Sequence, residues 1–250
     1  MNGKIYRDYD DFAWFYNRYW GETSCGPQAL DLLDRLILSR LPEGARILDV
    51  CCGTGQLDQA LTRRGFGVTG IDASARQLDY ARLNAPLADF IHTDARSFSM
   101  PAVFDGSISI FDSLNHILTI EELGETFRNV RDALVPGGLF LFDLNTEEGL
   151  RTRWSGTSNS RLEEDNAFIM NFSYDHENKK ARADIIMFRL MDGVWQRSDV
   201  SLWQKAYSDK EITSALTRSG FVEVTLSDAA RDLGAGMGAG RVFILARASR

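Results

Sequence analysis

The stretch Ile47–Gln56, ILDVCCGTGQ, decides the fold. It opens as a buried strand ending near Asp49, and Gly53 and Gly55 then open a turn. Beyond it, QLDQALTRR has helical spacing and stops at Gly65. Glycines at such a turn let the backbone approach a ligand closely. In open sheets, ligands lie at the carboxyl ends of the strands.

Downstream the same rhythm repeats. GVTGID reads as a strand ending at Asp72, which lies 19 residues beyond Gly53. That is the usual distance for a carboxylate that accepts from ribose hydroxyls. SARQLDYARLNA is a helix with Ser74 as N-cap. FIHTDA is a third strand, closed by Asp94, and FDGSISIF is a fourth. TIEELGETFRNVRDAL is a helix capped by Thr119, with Glu122 completing a capping box. Pro136, Gly137 and Gly138 form a turn into a fifth strand, LFLFDLN. Alternating strand and helix implies a parallel sheet covered on both faces. Acidic residues at three successive strand ends repel unless a ligand supplies donors or positive charge. The bland alternative is that they cap helices and turns.

Upstream, residues 10–40 read as helix. DFAWFYNRYW is aromatic-rich, and Pro27 opens a second helix in which Leu30, Leu33, Leu36, Ile37 and Leu41 recur at helical spacing. Pro42 and Gly44 break it. From residue 146 the rhythm changes. AFIMNFSYDH, RADIIMFRLM and VWQRSDVSLWQKAY read as strands without intervening helices, joined by HENKK and MDG, with Phe168, Met170, Phe172 and Tyr174 on one face. SDKEITSALTRSG is again a helix, with a Ser208–Glu211 capping box and Gly220 at its C-cap. FVEVTLSD and RVFILARA are the last strands, and the loop GAGMGAG between them reads as a flexible hairpin near the site. The expected organisation is a core of residues 1–145 and 208–250 with an antiparallel insert at 146–207.

The 250 residues are 44% hydrophobic and 25% charged, which excludes disorder as the main state. A net charge of −7 without a basic stripe argues against nucleic acid and for a small-molecule partner. No stretch approaches a bilayer span, and MNGKIYRDYDDF has no apolar signal core, so a cytoplasmic protein is expected. Cys25, Cys51 and Cys52 form no disulfide framework, and with three histidines no metal site is expected.

These motifs together resemble the class I S-adenosylmethionine-dependent methyltransferases. DVCCGTG looks like their first motif, IDAS their second, HTDARSF their adenine-contacting segment, and VRDALVPGGLFLFDL the helix, turn and fifth strand of their sheet. Cys51 stands where the family's first glycine usually lies. The resemblance implies an α/β Rossmann-like sheet of seven strands, the last antiparallel, with an N-terminal helical cap. It implies S-adenosyl-L-methionine as cofactor and S-adenosyl-L-homocysteine as product. Asp72 then holds the ribose diol, Asp94 and Ala95 meet the adenine, Gly53 passes the methionine portion, and Asp49 fixes that loop. Cys51, Gly55 and Ala73 complete the cofactor contacts, with Phe111 as a wall. A dinucleotide cofactor fits less well, because Asp58 stands where the third glycine of GxGxxG would face pyrophosphate.

On the reaction side, FDSLNHI follows the fourth strand in place of an Asn-Pro-Pro-Tyr run, which argues against methylation of nucleic-acid bases. His116 is the only histidine expected near the site and matches one in sugar N,N-dimethyltransferases. A neutral imidazole there would take a proton from an acceptor; a structural histidine is the alternative. Tyr16, followed by Asn17 where relatives carry Asp, is expected to close over the sulfonium. Trp14, Phe15, Tyr19 and Trp20 read as helix packing. The expected activity is in-line methyl transfer to N or O of a small molecule, with the insert as acceptor-side lid or homodimer element. The alternatives are an inactive cofactor-binding regulator and a NAD(P)-dependent oxidoreductase.

Overall fold

The apolar runs of the sequence become two sheets in the computed structural model, which describes residues 5–21, 26–234 and 240–249. Helices α1 (Ile5–Tyr19) and α2 (Pro27–Leu36) lead into β1 (Arg46–Val50). There follow α3 (Gln56–Arg63), β2 (Gly67–Asp72), α4 (Ala75–Asn84), β3 (Asp89–His92), β4 (Phe104–Ser109), α5 (Ile120–Ala133) and β5 (Leu134–Asn145). The insert holds α6 (Glu147–Arg153), β6 (Ser158–Leu162), β7 (Asn166–Asp175), β8 (Lys180–Met191) and β9 (Val194–Lys205). The chain returns through α7 (Asp209–Arg218), β10 (Phe221–Asp228) and β11 (Arg241–Ala248).

The main sheet runs β10-β11-β5-β4-β1-β2-β3. Strands β1 to β5 pair in parallel, while β11 is antiparallel to both β5 and β10, as the fold reading expects. Strand order reverses between β1 and β4, which puts a crevice at their carboxyl ends. Period-two alternation fills both faces of β5. Phe140 and Phe142 meet Phe127 of α5 on one side, and Leu139 and Leu141 meet Ile47 and Ile108 on the other. Each such ring, removed from water, stabilises the fold by roughly 2–3 kcal/mol.

The second sheet, β6-β7-β8-β9, is antiparallel throughout. One face takes Phe12 and Phe15 of α1 onto Phe168, Met170, Ile185 and Val200. The aromatic helix is therefore the joint between insert and core. Among the described residues, no helix is long and apolar enough to cross a membrane.

Four expectations need correction. The insert is not helix-free: Thr146 caps α6 by accepting from Gly149 N, and β6, exposed throughout and polar except for Leu162, has no apolar alternation to announce it. Pro136–Gly138 do not make a free turn but lie inside β5, where the pairing with β4 shifts register between Phe104 and Gly106. Glu122 does not close a capping box. Thr119 accepts from its N–H, but the Glu122 carboxylate turns to Arg96 instead of the Thr119 backbone. Helix α2 stops at Leu36, with a 3-10 turn over Leu38–Arg40. The Ser208–Glu211 box does form, and Gly220 follows α7 with φ +87°. Cys25 and residues 235–239 of the GAGMGAG loop lie outside the described residues.

Candidate active site

The crevice at the ends of β1, β2 and β4 is lined by the glycine turn, by Asp72–Ser74, by Asp94–Arg96, by Phe111 and His116, and by Tyr9 and Tyr16 of α1. Nine of the expected residues meet there: Tyr16, Cys51, Gly53, Asp72, Ala73, Asp94, Ala95, Phe111 and His116. Asp49 and Gly55 do not line it. Asp49 is buried behind the turn at the end of β1. Gly55 has φ +78°, and a Cβ there would lie 2.8 Å from Ala81 Cα, so it is the seat on which α3 meets α4. Tyr9, Gln77, Ser113 and Arg96 also line the crevice and escaped the sequence reading.

On the cofactor side, backbone and carboxylate brace each other. Asp72 Oδ2 accepts from Gly53 N at 2.9 Å and Oδ1 from Ser74 N at 2.8 Å. Each oxygen keeps capacity for a further donor. Burial pushes the Asp72 carboxyl above its usual range, against these two backbone bonds. Burial and then Asp58 raise Asp49. Asp58 itself, fully buried, is pushed by burial up to about 7, and neither of its oxygens has a partner in the described structure. Gln77 Oε1 is also buried and unpartnered, and sits beside Gly53. An acidic, acceptor-rich seat of this kind favours a ligand that brings hydroxyl donors and positive charge. S-adenosylmethionine, with its ribose diol, ammonium and sulfonium, fits it.

Asp94 is engaged more than expected. Its carboxylate takes the Arg96 guanidinium through both oxygens, at 2.8 to 3.2 Å, and Arg96 reaches on to Glu122 at 3.0 Å. This end of the crevice is thus framed by an ion-paired triad. Asn17 ties the cap to the glycine turn: its Oδ1 accepts from Gln56 and Asn84, and Asn84 donates to Thr54 O. Tyr16 lies against the Gly53 position, its ring edge 3.5 Å from where a Cβ would stand.

On the reaction side, His116 ends a 3-10 turn, Ser113–His116. Its Nδ1 lies 2.7 Å from Trp203 O of β9, and its Nε2 lies 2.7 Å from the Tyr9 hydroxyl. A carbonyl only accepts, so Nδ1 carries the proton and Nε2 is the acceptor for Tyr9. Burial lowers the His116 pKa, with Asp112 opposing, so the imidazole is neutral near pH 7. His116 is not the sole histidine nearby: His92 of β3 lies 2.8 Å from Ala73 O. Phe111 and Asp112 are both left-handed, with φ +66° and +51°. Consecutive non-glycine residues in that region are strained, by about 1–3 kcal/mol each.

Residues 47–138 match a family described as the methyltransferase domain. A protein of Bacillus subtilis (strain 168), YqeM, named as a methyltransferase without a stated acceptor, is 29% identical over 195 residues, 76% of this chain and 79% of that one. The dTDP-3-amino-3,4,6-trideoxy-alpha-D-glucopyranose N,N-dimethyltransferase of Streptomyces venezuelae is 34% identical over 116 residues, 46% of this chain and 48% of its own. An S-adenosylmethionine-dependent methyltransferase of Clostridium acetobutylicum superposes with a TM-score of 0.80 at 19% identity, covering 97% of this chain and 99% of that one, which is a likeness of fold.

Proposed function

We propose that this chain, which matches the methyltransferase domain over residues 47–138, transfers a methyl group from S-adenosylmethionine to a nitrogen or oxygen of a small-molecule acceptor seated against His116, Tyr9 and Phe111. The observation that carries this reading is the Tyr9–His116 pair. It is a neutral proton acceptor at the end of β4, on the wall of the crevice that Phe111 shares. The bound cofactor supplies an electrophilic methyl group on a sulfonium. An acceptor that took this methyl group would have a proton to lose, and the Tyr9–His116 pair would receive it.

This chain's part is chiefly placement, which is worth up to about 7–11 kcal/mol in ideal cases. Asp72 and Gly53 hold the sugar and tail, and Arg96 and Asp94 frame the base. Tyr9 faces the acceptor and passes its proton to His116 Nε2, whose opposite nitrogen is fixed by Trp203 O. Because that carbonyl belongs to β9, the insert orients the base from behind the crevice wall. The dimethyltransferase of Streptomyces venezuelae, by its name, acts on an amino sugar, which supports an amine as the first acceptor class to try.

The test is a panel of amino sugars and hydroxylated aromatics incubated with the protein and labelled cofactor, read by mass spectrometry. Gain of one or more methyl groups on a panel member is expected. Tight cofactor binding with no transfer to any acceptor, in a protein stable through the assay, would overturn the reading in favour of a binding protein.

A further inference from the structure

We propose that Arg241 is a positioning residue: it holds the left-handed Phe111–Asp112 corner so that Phe111 faces the transferable methyl group and Gln204 reaches His116. The proposal rests on the methyl-transfer reading above. Its ground is a network that the cofactor contacts leave unexplained.

The corner is strained and is nevertheless the point where β4 opens into the crevice. A phenylalanine at φ +66° needs its surroundings to over-determine it. Three contacts do so. The Asp112 N–H donates to both oxygens of Asp143, at 3.3 and 3.2 Å. Arg241, at the start of β11, pairs with the Asp112 carboxylate through one nitrogen and with the Asp143 carboxylate through another. From β9, Gln204 Nε2 donates to the other oxygen of Asp112 at 2.5 Å. The side chains are 11%, 17% and 0% exposed for Arg241, Asp112 and Asp143. Two carboxylates this close and this dry repel unless one planar cation serves both.

The network continues to the reaction side. Gln204 Oε1 accepts from Asn145 Nδ2 at 3.0 Å, which fixes the direction of the amide. Its Nε2 then lies 3.2 Å from His116 Nε2. The Arg241 guanidinium thus stands behind both walls of the methyl position, Phe111 through Asp112 and His116 through Gln204, although Arg241 itself does not line the crevice.

Arg241→Lys keeps the charge but serves only one of the two carboxylates. Turnover is expected to fall about 10- to 100-fold while cofactor affinity stays within about 3-fold. In S-adenosylmethionine carrying a 13C-labelled methyl group, the bound methyl resonance should move, because the Phe111 ring beside it has moved. The double variant R241K/D112N removes the charge the lysine cannot serve and puts Asn, which tolerates the left-handed region, at the corner. It should recover turnover and return the resonance toward the native position. A native methyl resonance and native turnover in folded Arg241→Lys would overturn the proposal, as would a double variant no better than the single one. Failure of the methyl-transfer reading would look different: the native protein would bind the cofactor and methylate nothing. The resonance would then still decide the role of Arg241. If Arg241→Lys does not fold, Asp112→Asn with Arg241 intact carries the same resonance measurement, with a smaller displacement expected and none counting against the proposal.

Discussion

The two halves of the crevice are built in opposite ways. On the cofactor side, the decisive contacts join backbone to carboxylate between neighbouring strand ends, as in Gly53 N to Asp72 and Ser74 N to Asp72. On the reaction side, they join side chains brought from distant parts of the chain: Tyr9 to His116, Gln204 to Asp112, and Arg241 to Asp112 and Asp143. A cradle made of one turn and two strand ends suits a ligand of fixed shape. A wall made by α1 and the segment after β4, and backed by β9 and β11, is free to differ wherever the acceptor differs. In the proposed reaction, this difference would separate what recognises the donor from what selects and deprotonates the recipient.

The sharpest way to break the cofactor half is at its glycine seat. Gly55→Val adds strain at φ +78° and drives a side chain into Ala81. Destabilisation of about 3 kcal/mol or more, with loss of cofactor binding, is expected in a thermal melt and calorimetric titration. Asp72→Ala leaves Gly53 N and Ser74 N without their partner and removes the acceptor for the diol. Cofactor affinity should drop about 10- to 100-fold, equivalent to about 1–3 kcal/mol. Unchanged affinity in a folded variant would remove Asp72 from the cradle.

The reaction half should respond in kcat. His116→Asn or Tyr9→Phe is expected to lower turnover about 10- to 100-fold while the cofactor dissociation constant stays within about 3-fold. The pH profile carries the sign. In the proposed role His116 acts as the neutral form, and its pKa is lowered by burial. Activity should therefore be flat through pH 7 and fall only below the ordinary histidine range. The same shift implies that stability from burying the neutral ring is present at neutral pH and is lost as pH falls below about 6.5, the unfolded value. If Tyr9→Phe weakened cofactor binding as much as turnover, the division between the halves would not hold.

The smallest effect tests the acidic seat itself. Asp58 is buried, unpartnered and raised to about 7, so its ionised form is penalised in the folded state. Its cost is absent below the unfolded value of about 3.9, grows as pH rises from there to about 7, and is constant above. Asp58→Asn should raise the melting temperature, by a few degrees at pH 8 and by less at pH 5. Equal gains at both values would mean that folding does not raise the Asp58 carboxyl.

The same division explains what the sequence made legible. The strand ends, the helix N-caps at Ser74 and Ser208, and the carboxylate at Asp72 are local signals, written within a few residues or a fixed spacing. Tyr9 was missed because nothing around it distinguishes a pocket tyrosine from the packing aromatics that follow it; its meaning lies 107 residues away. Gln204 and Arg241 sit in ordinary strand patterns, and only the crossing of β9 and β11 near β4 joins them. Glu122 read as a cap partner because its spacing is right, yet an ion pair to Arg96 outcompeted a bond to the backbone. The insert's first helix lies under seven residues, EEGLRTR, too few to develop a period.

One contact has a bearing on how this protein could be rebuilt. Where α6 begins, Gly149 meets Gly240 so closely that a Cβ on Gly149 would lie 2.0 Å from the Gly240 oxygen, and that oxygen also accepts from Thr146 N at 2.9 Å. The insert is therefore spliced to the core through bare main chain. A chimaera that exchanged the insert's strands for those of another protein would be free in most of the transplanted sequence, but would have to keep both glycines at the seam. Grafts that carried any larger residue there would be lost at folding, before their specificity was ever assayed.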